Sequence, residues 1–250
     1  MLRETDSGRV SRKGSLDDHS FSSMKYRVLS QLEAYRNRAV EPMDGTPMRG
    51  KPNAFWLFFL ESLHSLRMTA SVFPSSRNLA SALAQPIDFS LAANVVELGS
   101  GTGAVTREIL KRLGPDGKLF AVEVIPAFIE HLEATCRDPR LILLAGSATD
   151  LQALLAQHDV RSVDDVVSSL PLAAMDDETR LAILQQVGAC LGPYGVMTQC
   201  QWEISKHKPG GFNEEGFLRS FFSEVQVKRV ILNLPPTLVF TCRKWISRSR

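Results

Sequence analysis

Residues 94–103 read NVVELGSGTG, a short apolar run followed directly by three glycines that alternate with Ser100 and Thr102. A short apolar run bounded by turn residues has the pattern of a buried strand. Glycines at the following turn let the backbone bend sharply and let a ligand lie against bare N–H groups. The stretch therefore predicts a buried strand followed by a ligand-binding turn.

The spacing of the glycines argues against a dinucleotide ligand. A dinucleotide-binding turn reads G-x-G-x-x-G and places a pyrophosphate over the N-terminus of the next helix. Here the glycines read G-x-G-x-G, and Glu97 comes shortly before the first of them. Because a carboxylate attracts cations and repels phosphate, the turn favours a ligand that carries positive charge.

Alternating strand and helix patterns extend from this turn to the C-terminus. Strands are predicted over residues 94–98, 118–123, 141–145, 165–169, 195–201, 225–233 and 237–244. Helices are predicted over residues 105–113, 126–136, 147–158, 177–191 and 214–222. Such alternation predicts an α/β fold, with a mostly parallel sheet covered on both faces and closed by an antiparallel hairpin.

The composition limits the classes of protein that remain. The chain has 250 residues and a net charge of +2, from 29 Lys and Arg against 27 Asp and Glu, which is too balanced for a dedicated polyanion binder. It has neither the apolar run of roughly 20 residues that a membrane-spanning helix needs nor a secretory signal, so we expect a cytoplasmic protein. The four cysteines are widely spaced without a C-x-x-C pair, so we expect no metal site.

The N-terminal third differs from the alternating region in its composition and in its pattern of apolar residues. We expect a flexible tail with one helix near 22–38 and a linker over residues 1–52. Amphipathic helices that seek a membrane or cap the substrate are predicted over residues 53–87, and the core domain over residues 88–250. The aromatic residues of segment 54–67 are Phe55, Trp56, Phe58 and Phe59, and Arg67 follows them. Because one helix face cannot bury all four rings, we expect them at a membrane–water interface, with Arg67 near anionic lipid. The alternative is that they pack on the sheet.

Glu97 and the glycines form the pattern E-x-G-x-G-x-G, which resembles motif I of the class I S-adenosylmethionine-dependent methyltransferases. The resemblance implies a Rossmann-like fold with a seven-stranded sheet, S-adenosylmethionine as cofactor and S-adenosylhomocysteine as product. It implies that Glu97 helps to hold the amino group of the cofactor and that Glu123, at the end of the next strand, accepts both ribose hydroxyls. The expected cofactor-binding residues are Ser76, Glu97, Gly99, Ser100, Gly101, Thr102, Gly103, Thr106, Glu123, Val124, Ser147, Ala148, Ser168 and Leu170.

Two positions depart from the patterns of related methyltransferases. Where the superfamily often has an acidic residue for the adenine amino group, this chain has Ser147. Adenine recognition is then left to Ser147, to backbone N–H groups or to Asp150, and we favour Ser147 and Ala148. Base N-methyltransferases that resemble the ribosomal RNA adenine dimethylases have N-L-P-Y after the fourth strand, where this chain has VVSSLPL with Leu172 in place of the aromatic residue. Because a ring that stacks on the base is missing, we expect no DNA partner and disfavour RNA.

Several segments in the same order resemble the bacterial phosphatidylethanolamine N-methyltransferase family. They are FWLFFLESL, FPSSRNLASAL, VVELGSGTGAVTREIL, VVSSLPL, GPYGVMTQCQW and NLPPTLVF. The resemblance implies methylation of a phospholipid amine, from phosphatidylethanolamine toward phosphatidylcholine. We expect a monomer that binds peripherally to the inner face of the cell membrane. The alternatives are another amino lipid such as an ornithine lipid, RNA adenine N6- or small-molecule N-methylation, and a cofactor-binding module without activity.

The reaction chemistry indicates four candidate catalytic residues. In-line transfer needs a neutral amine about 3–3.5 Å from the methyl carbon, so a primary ammonium must first lose a proton. Ser168 and Ser169 are candidate proton acceptors, with Tyr26 if the N-terminal helix folds over the site. Trp202 is the candidate for holding the methylated cation by cation–π attraction, with a packing role as the alternative.

Overall fold

The computed structural model describes residues 74–203, 211–233 and 236–246, without the side chains of residues 74–76. The predictions for the tail, the helix near 22–38, the linker and segment 54–67 lie outside these ranges. The candidate residues outside them are Tyr26, Phe55, Trp56, Phe58, Phe59 and Arg67.

A seven-stranded sheet forms the centre of the described region. Its strands are β1 (Asn94–Leu98), β2 (Lys118–Glu123), β3 (Leu141–Ala145), β4 (Val163–Ser168), β5 (Leu191–Trp202), β6 (Phe222–Val230) and β7 (Thr237–Trp245). The strand order is β3-β2-β1-β4-β5-β7-β6; the first five pair in parallel, and β7 pairs antiparallel with β5 and β6. This confirms the predicted mostly parallel sheet with an antiparallel C-terminal hairpin.

Helices cover both faces of the sheet. They are α1 (Pro74–Ala84), α2 (Ala104–Arg112), α3 (Pro126–Thr135), α4 (Leu151–Ala156), α5 (Asp177–Cys190) and α6 (Glu214–Arg219), with single 3₁₀ turns over Ala148–Asp150 and Leu172–Ala174. Successive residues of a strand face opposite sides. Val95 of β1 therefore packs in an apolar cluster with α1 and α2, whereas Val96 packs in a second cluster with α4, α5 and α6.

The carboxyl ends of β1, β2 and β4 lie at one edge of the sheet, which we call the carboxyl edge. Trp202 at the end of β5 pairs with Thr237 at the start of β7, so the turn between β6 and β7 lies at the same edge. Ligands of open α/β sheets bind outside the carboxyl ends of the strands. The fold therefore places the glycine-rich turn, the residues after β4 and the end of β5 on the side where a ligand is expected.

Several predicted elements have different bounds in the structure. The helix predicted over 147–158 is a 3₁₀ turn followed by α4, because the Ser147 hydroxyl accepts the N–H of Thr149 and begins a tight turn. The strand predicted over 225–233 runs from Phe222 to Val230, because Phe222 pairs with Trp245 and packs edge-on against its ring, with centroids 5.0 Å apart. The helix predicted over 214–222 consequently ends at Arg219.

Helix α1, which lies within the segment 53–87, packs against the domain. Leu83 and Ala84 are fully buried, and the Arg112 guanidinium of α2 donates to the Ser81 hydroxyl at 2.9 Å. The apolar face of α1 therefore contacts protein. Among the helices of the described ranges, none is long and apolar enough to span a membrane.

Candidate functional site

The glycine-rich turn between β1 and α2 is built on left-handed backbone. Gly99, Gly101 and Gly103 have φ angles of 79°, 50° and 82°, a region that residues with a Cβ atom rarely adopt. The N–H groups of Gly99 and Ser100 donate to the Val122 carbonyl at 3.0 and 3.3 Å, which fixes the turn to the end of β2. A Cβ atom on Gly101 would meet nothing within 4 Å, so this residue borders open space where a ligand fits.

Glu123 at the end of β2 joins the turn through its carboxylate. Its Oε2 accepts the N–H of Gly101 at 2.8 Å, and its Oε1 accepts the N–H groups of Val124 and Ile125, both at 2.9 Å. Burial raises the pKa of Glu123, and these three N–H groups oppose the rise. The backbone N–H of Val124 thus helps to orient the carboxylate that is predicted to bind ribose.

Glu97 is fully buried beneath the turn. Its Oε2 accepts the hydroxyl proton of Thr106 at 2.7 Å, whereas Oε1 has no hydrogen-bond partner among the described residues. Burial raises the pKa of Glu97 to about 7, and the charge of Glu123 adds to the rise while Thr106 opposes it. A buried carboxylate oxygen without a partner is costly unless a donor or cation meets it. Glu97 therefore fits a cationic group of a ligand.

The residues after β4 are bonded to the glycine-rich turn. The Ser169 hydroxyl donates to the Gly99 carbonyl at 2.6 Å, and its N–H donates to the Leu98 carbonyl at 3.0 Å. The Leu170 side chain comes within 3.0 Å of the position that a Cβ on Gly99 would occupy. Ser168 is fully buried in the sheet. The structure thus brings Ser169 and Leu170 into contact with the cofactor turn, whereas Ser168 is buried at the end of β4.

The candidate adenine contacts follow β3. The Ser147 hydroxyl oxygen accepts the N–H of Thr149 at 3.2 Å and its hydroxyl at 2.8 Å, so Ser147 retains only its proton for a ligand. Ala148 is buried. An acceptor for the adenine amino group would therefore have to be a backbone carbonyl or another side chain.

The remaining candidates lie in the glycine-rich turn, at the end of β5 and in α1. Ser100 is buried, with a hydroxyl that has no partner in the described part of the chain, and the Thr102 carbonyl accepts from Arg107. Trp202 is half-buried at the end of β5. Ser76 lies in the first turn of α1.

Arg107 is a site residue that the sequence interpretation missed. Its Nη1 donates to the Thr102 carbonyl at 2.8 Å and its Nη2 to the Thr135 hydroxyl at 2.9 Å, so it braces the turn against α3. A basic residue near the N-terminus of a helix opposes the helix dipole. The position of Arg107 in the first turn of the predicted helix, four residues after Gly103, therefore indicated that it has a role other than stabilising the helix.

Comparison with known proteins identifies the family to which this chain belongs. Residues 95–195 match the family described as "Methyltransferase domain". The ornithine lipid N-methyltransferase of Singulisphaera acidiphila is 31% identical over 193 residues, which are 76% of this chain and 95% of that protein. The chain belongs to the class I S-adenosylmethionine-dependent methyltransferases. S-adenosylmethionine is the cofactor of this methyltransferase, and it supplies an electrophilic methyl group when bound.

Two further comparisons, one with a solved structure and one with a protein sequence, show how far this methyltransferase resembles other methyltransferases. The structure of the 1,6-didemethyltoxoflavin-N1-methyltransferase of Burkholderia thailandensis, with S-adenosylhomocysteine bound, superposes with a TM-score of 0.55 at 20% identity over 76% of this chain and 88% of that one. The ribosomal RNA small subunit methyltransferase H of Halorhodospira halophila is 32% identical over 81 residues, which are 32% of this chain and 25% of that protein. The first supports the fold, and the second match covers too little of either chain to carry a function.

Binding of S-adenosylmethionine is expected to weaken as the pH falls below about 7, the pKa of Glu97 in the free protein. A cation stabilises the ionised carboxylate, so binding releases the Glu97 proton, and each further unit of acidity costs up to about tenfold in affinity. Titration calorimetry at pH 6.0, 6.5 and 7.5, in buffers of different ionisation enthalpy, measures both the affinity and the proton release. Glu97→Gln should bind more weakly at pH 7.5 and lose this dependence. Equal affinity of the unmodified protein at pH 6.0 and 7.5 would contradict the assignment.

Proposed function

We propose that this methyltransferase transfers methyl groups to the amine of an amino lipid at a membrane surface. The observation that carries the proposal is the 31% identity to an ornithine lipid N-methyltransferase over 95% of the length of that protein. The segment resemblances favour phosphatidylethanolamine as the acceptor, whereas this relative favours an ornithine lipid. Both lipids present a primary amine in the head group at the bilayer surface, so the same chemistry serves either.

The arrangement at the carboxyl edge supports transfer to an amine. The Ser169 hydroxyl and the Leu170 side chain adjoin the cofactor turn, so an acceptor held over them would lie beside the methionine part of the cofactor. Methyl transfer needs little more than alignment and a neutral nitrogen. An apolar surrounding favours the neutral form of an amine, because burial disfavours its charge.

A transfer assay tests the acceptor. Purified protein is given S-adenosylmethionine with a labelled methyl group and vesicles of phosphatidylethanolamine, its mono- and dimethyl forms, or ornithine lipid, and the lipids are separated by thin-layer chromatography. We expect label in at least one amino lipid, and the products from each methylated form give the number of steps. Absence of label from all of these lipids, with S-adenosylmethionine binding intact, would contradict the proposal. RNA retention that weakens steeply with salt would then favour an RNA substrate.

Membrane association is proposed to depend on the aromatic residues that precede α1. Replacing Phe55, Trp56 and Phe59 by alanine should lower binding to anionic vesicles at least about tenfold, because each ring contributes about 1.5–3 kcal/mol when it leaves water. Sedimentation with the vesicles measures this. Tyr194→Ala, at an aromatic residue that is 96% exposed, is the matched control and should bind like the unmodified protein. Unchanged vesicle binding with a lower melting temperature would instead mean that the rings pack on protein.

A further inference from the structure

We propose that a pocket beside the end of β5 receives the primary ammonium group of the acceptor, and that the carboxylate of Glu214 accepts the proton that this group must lose. The inference rests on the proposed function and gives a place to the amine that this function requires. Residues that line the pocket include Gln201, Phe212, Glu214, Leu238 and Phe240.

Glu214 has the features of a group that awaits a cation. It is only 1% exposed although it begins α6, and its Oε1 accepts the Nε2 proton of Gln199 at 2.8 Å. Its Oε2 is buried without a hydrogen-bond partner among the residues that the structure describes. A buried carboxylate oxygen in this state is unfavourable, and an ammonium group in the pocket would supply the missing donor.

Gln199 connects Glu214 with the residues at the cofactor turn. The Nε2 atom of Gln199 donates both to Glu214 and to the Leu170 carbonyl, the latter at 2.7 Å. Ser169, the residue before Leu170, donates its hydroxyl proton to the Gly99 carbonyl at 2.6 Å. Gln199 therefore links Glu214, through one shared hydrogen-bond donor, to the loop that borders the cofactor turn.

The surroundings of Glu214 bring its pKa closer to that of an amine. Burial raises the pKa of Glu214 to about 8, whereas the Gln199 hydrogen bond and the charge of Arg180 oppose the rise. The other titratable groups that face Glu214 are Cys200 on β5 and Cys242 on β7, whose pKa values burial raises to about 12. On its own helix the charged groups Glu215 and Arg219 pair with each other. The apolar lining residues Phe212, Leu238 and Phe240 favour the neutral form of an amine held against them, because an apolar surrounding disfavours charge.

The proposed step balances with the groups named. One N–H proton of the ammonium group moves to Oε2 of Glu214, and the N–H bond electrons remain on nitrogen as a lone pair. This pair forms the N–C bond to the methyl carbon while the C–S bond breaks and its electrons go to sulfur. Glu214 later releases its proton to solvent.

Glu214→Gln tests the proton transfer, because glutamine keeps an oxygen for Gln199 but cannot accept the proton. At pH 8.5, where Glu214 is largely ionised, we expect methyl transfer to the amino lipid to fall about 10²- to 10⁴-fold, with unchanged affinity for S-adenosylhomocysteine. The deficit should shrink as the pH is raised toward 10, because a free amine with a pKa of about 10.4 then needs no base. Glu178→Gln, the same change at an exposed residue of the first turn of α5, should behave like the unmodified protein. A deficit that stays constant with pH, or no deficit, would overturn the proposal.

A binding measurement decides the inference even if the lipid assay fails. Saturation-transfer NMR with ethanolamine phosphate and with ornithine, on protein loaded with S-adenosylhomocysteine at pH 8, should detect binding that Glu214→Gln weakens at least about tenfold, the loss typical of a charge-assisted hydrogen bond. If the unmodified protein methylates no amino lipid, the proposed function fails, and a difference in amine binding still supports the pocket. Equal binding by both proteins, or none by the unmodified protein, would overturn the pocket.

Discussion

Replacing Glu123 by alanine is expected to weaken S-adenosylmethionine binding about 10- to 150-fold, which corresponds to about 1.5–3 kcal/mol of charge-assisted hydrogen bonding. The carboxylate is the predicted acceptor for both ribose hydroxyls, and it also accepts the N–H groups of Gly101, Val124 and Ile125. The alanine variant therefore loses the ribose contact and leaves the Gly101 N–H without its acceptor, so the turn is less well ordered for the ligand. Titration calorimetry gives the affinity.

Glu123→Gln separates the charge from the shape of the side chain. It retains one oxygen acceptor, so we expect an affinity between those of the unmodified protein and of Glu123→Ala. A thermal melt of both variants verifies that the fold is intact, since Glu123 is only 7% exposed. If Glu123→Ala binds S-adenosylmethionine as tightly as the unmodified protein does, the ribose assignment is wrong.

The parts of this fold that the sequence predicts well are those that local pattern determines. The runs NVVEL and KLFAVE coincide with β1 and β2, because a parallel strand buried on both faces is apolar over most of its length, and LILLA coincides with β3, a partly buried strand at the edge of the sheet. The glycine-rich turn is predicted from the sequence equally well, because left-handed backbone at Gly99, Gly101 and Gly103 favours residues without a Cβ atom. Strand, turn and cofactor class therefore follow from about ten residues.

The parts that local pattern does not predict depend on contacts between distant residues. Phe217, Leu218, Phe221 and Phe222 continue a helical spacing, and only the antiparallel pairing of Phe222 with Trp245 makes that residue part of β6. The same limit applies to the site. Glu214 reads as an ordinary first-turn acid, and its burial against Gln199 becomes visible only when α6 is placed over the end of β5. Arg107 likewise needs Thr135 of α3 to show what it braces.

Gly103→Ala is expected to destabilise the domain far more than Gly101→Ala, although both glycines have positive φ angles. Adopting left-handed backbone costs a residue with a Cβ atom about 1–2 kcal/mol at either position. At Gly103 the new Cβ would also lie 2.4 Å from the Leu132 Cδ2 and 2.8 Å from the Arg107 Nη1, and Leu132 is fully buried, so its side chain has little room to shift. Overpacking of this kind costs about 1–3 kcal/mol more, so we expect the melting temperature to fall by about 5–15 °C.

Gly101→Ala serves as the matched control for this prediction, because its Cβ would meet no protein atom within 4 Å. Its melting temperature should fall by only a few degrees, about 2–4 °C per kcal/mol in a domain of this size. The same methyl group projects into the open space beside the Gly101 N–H, so cofactor affinity should fall more than stability does. Equal melting temperatures for the two variants would mean that the Leu132 side chain does move aside. The contact between α3 and the turn would then not make Gly103 more important for stability than Gly101.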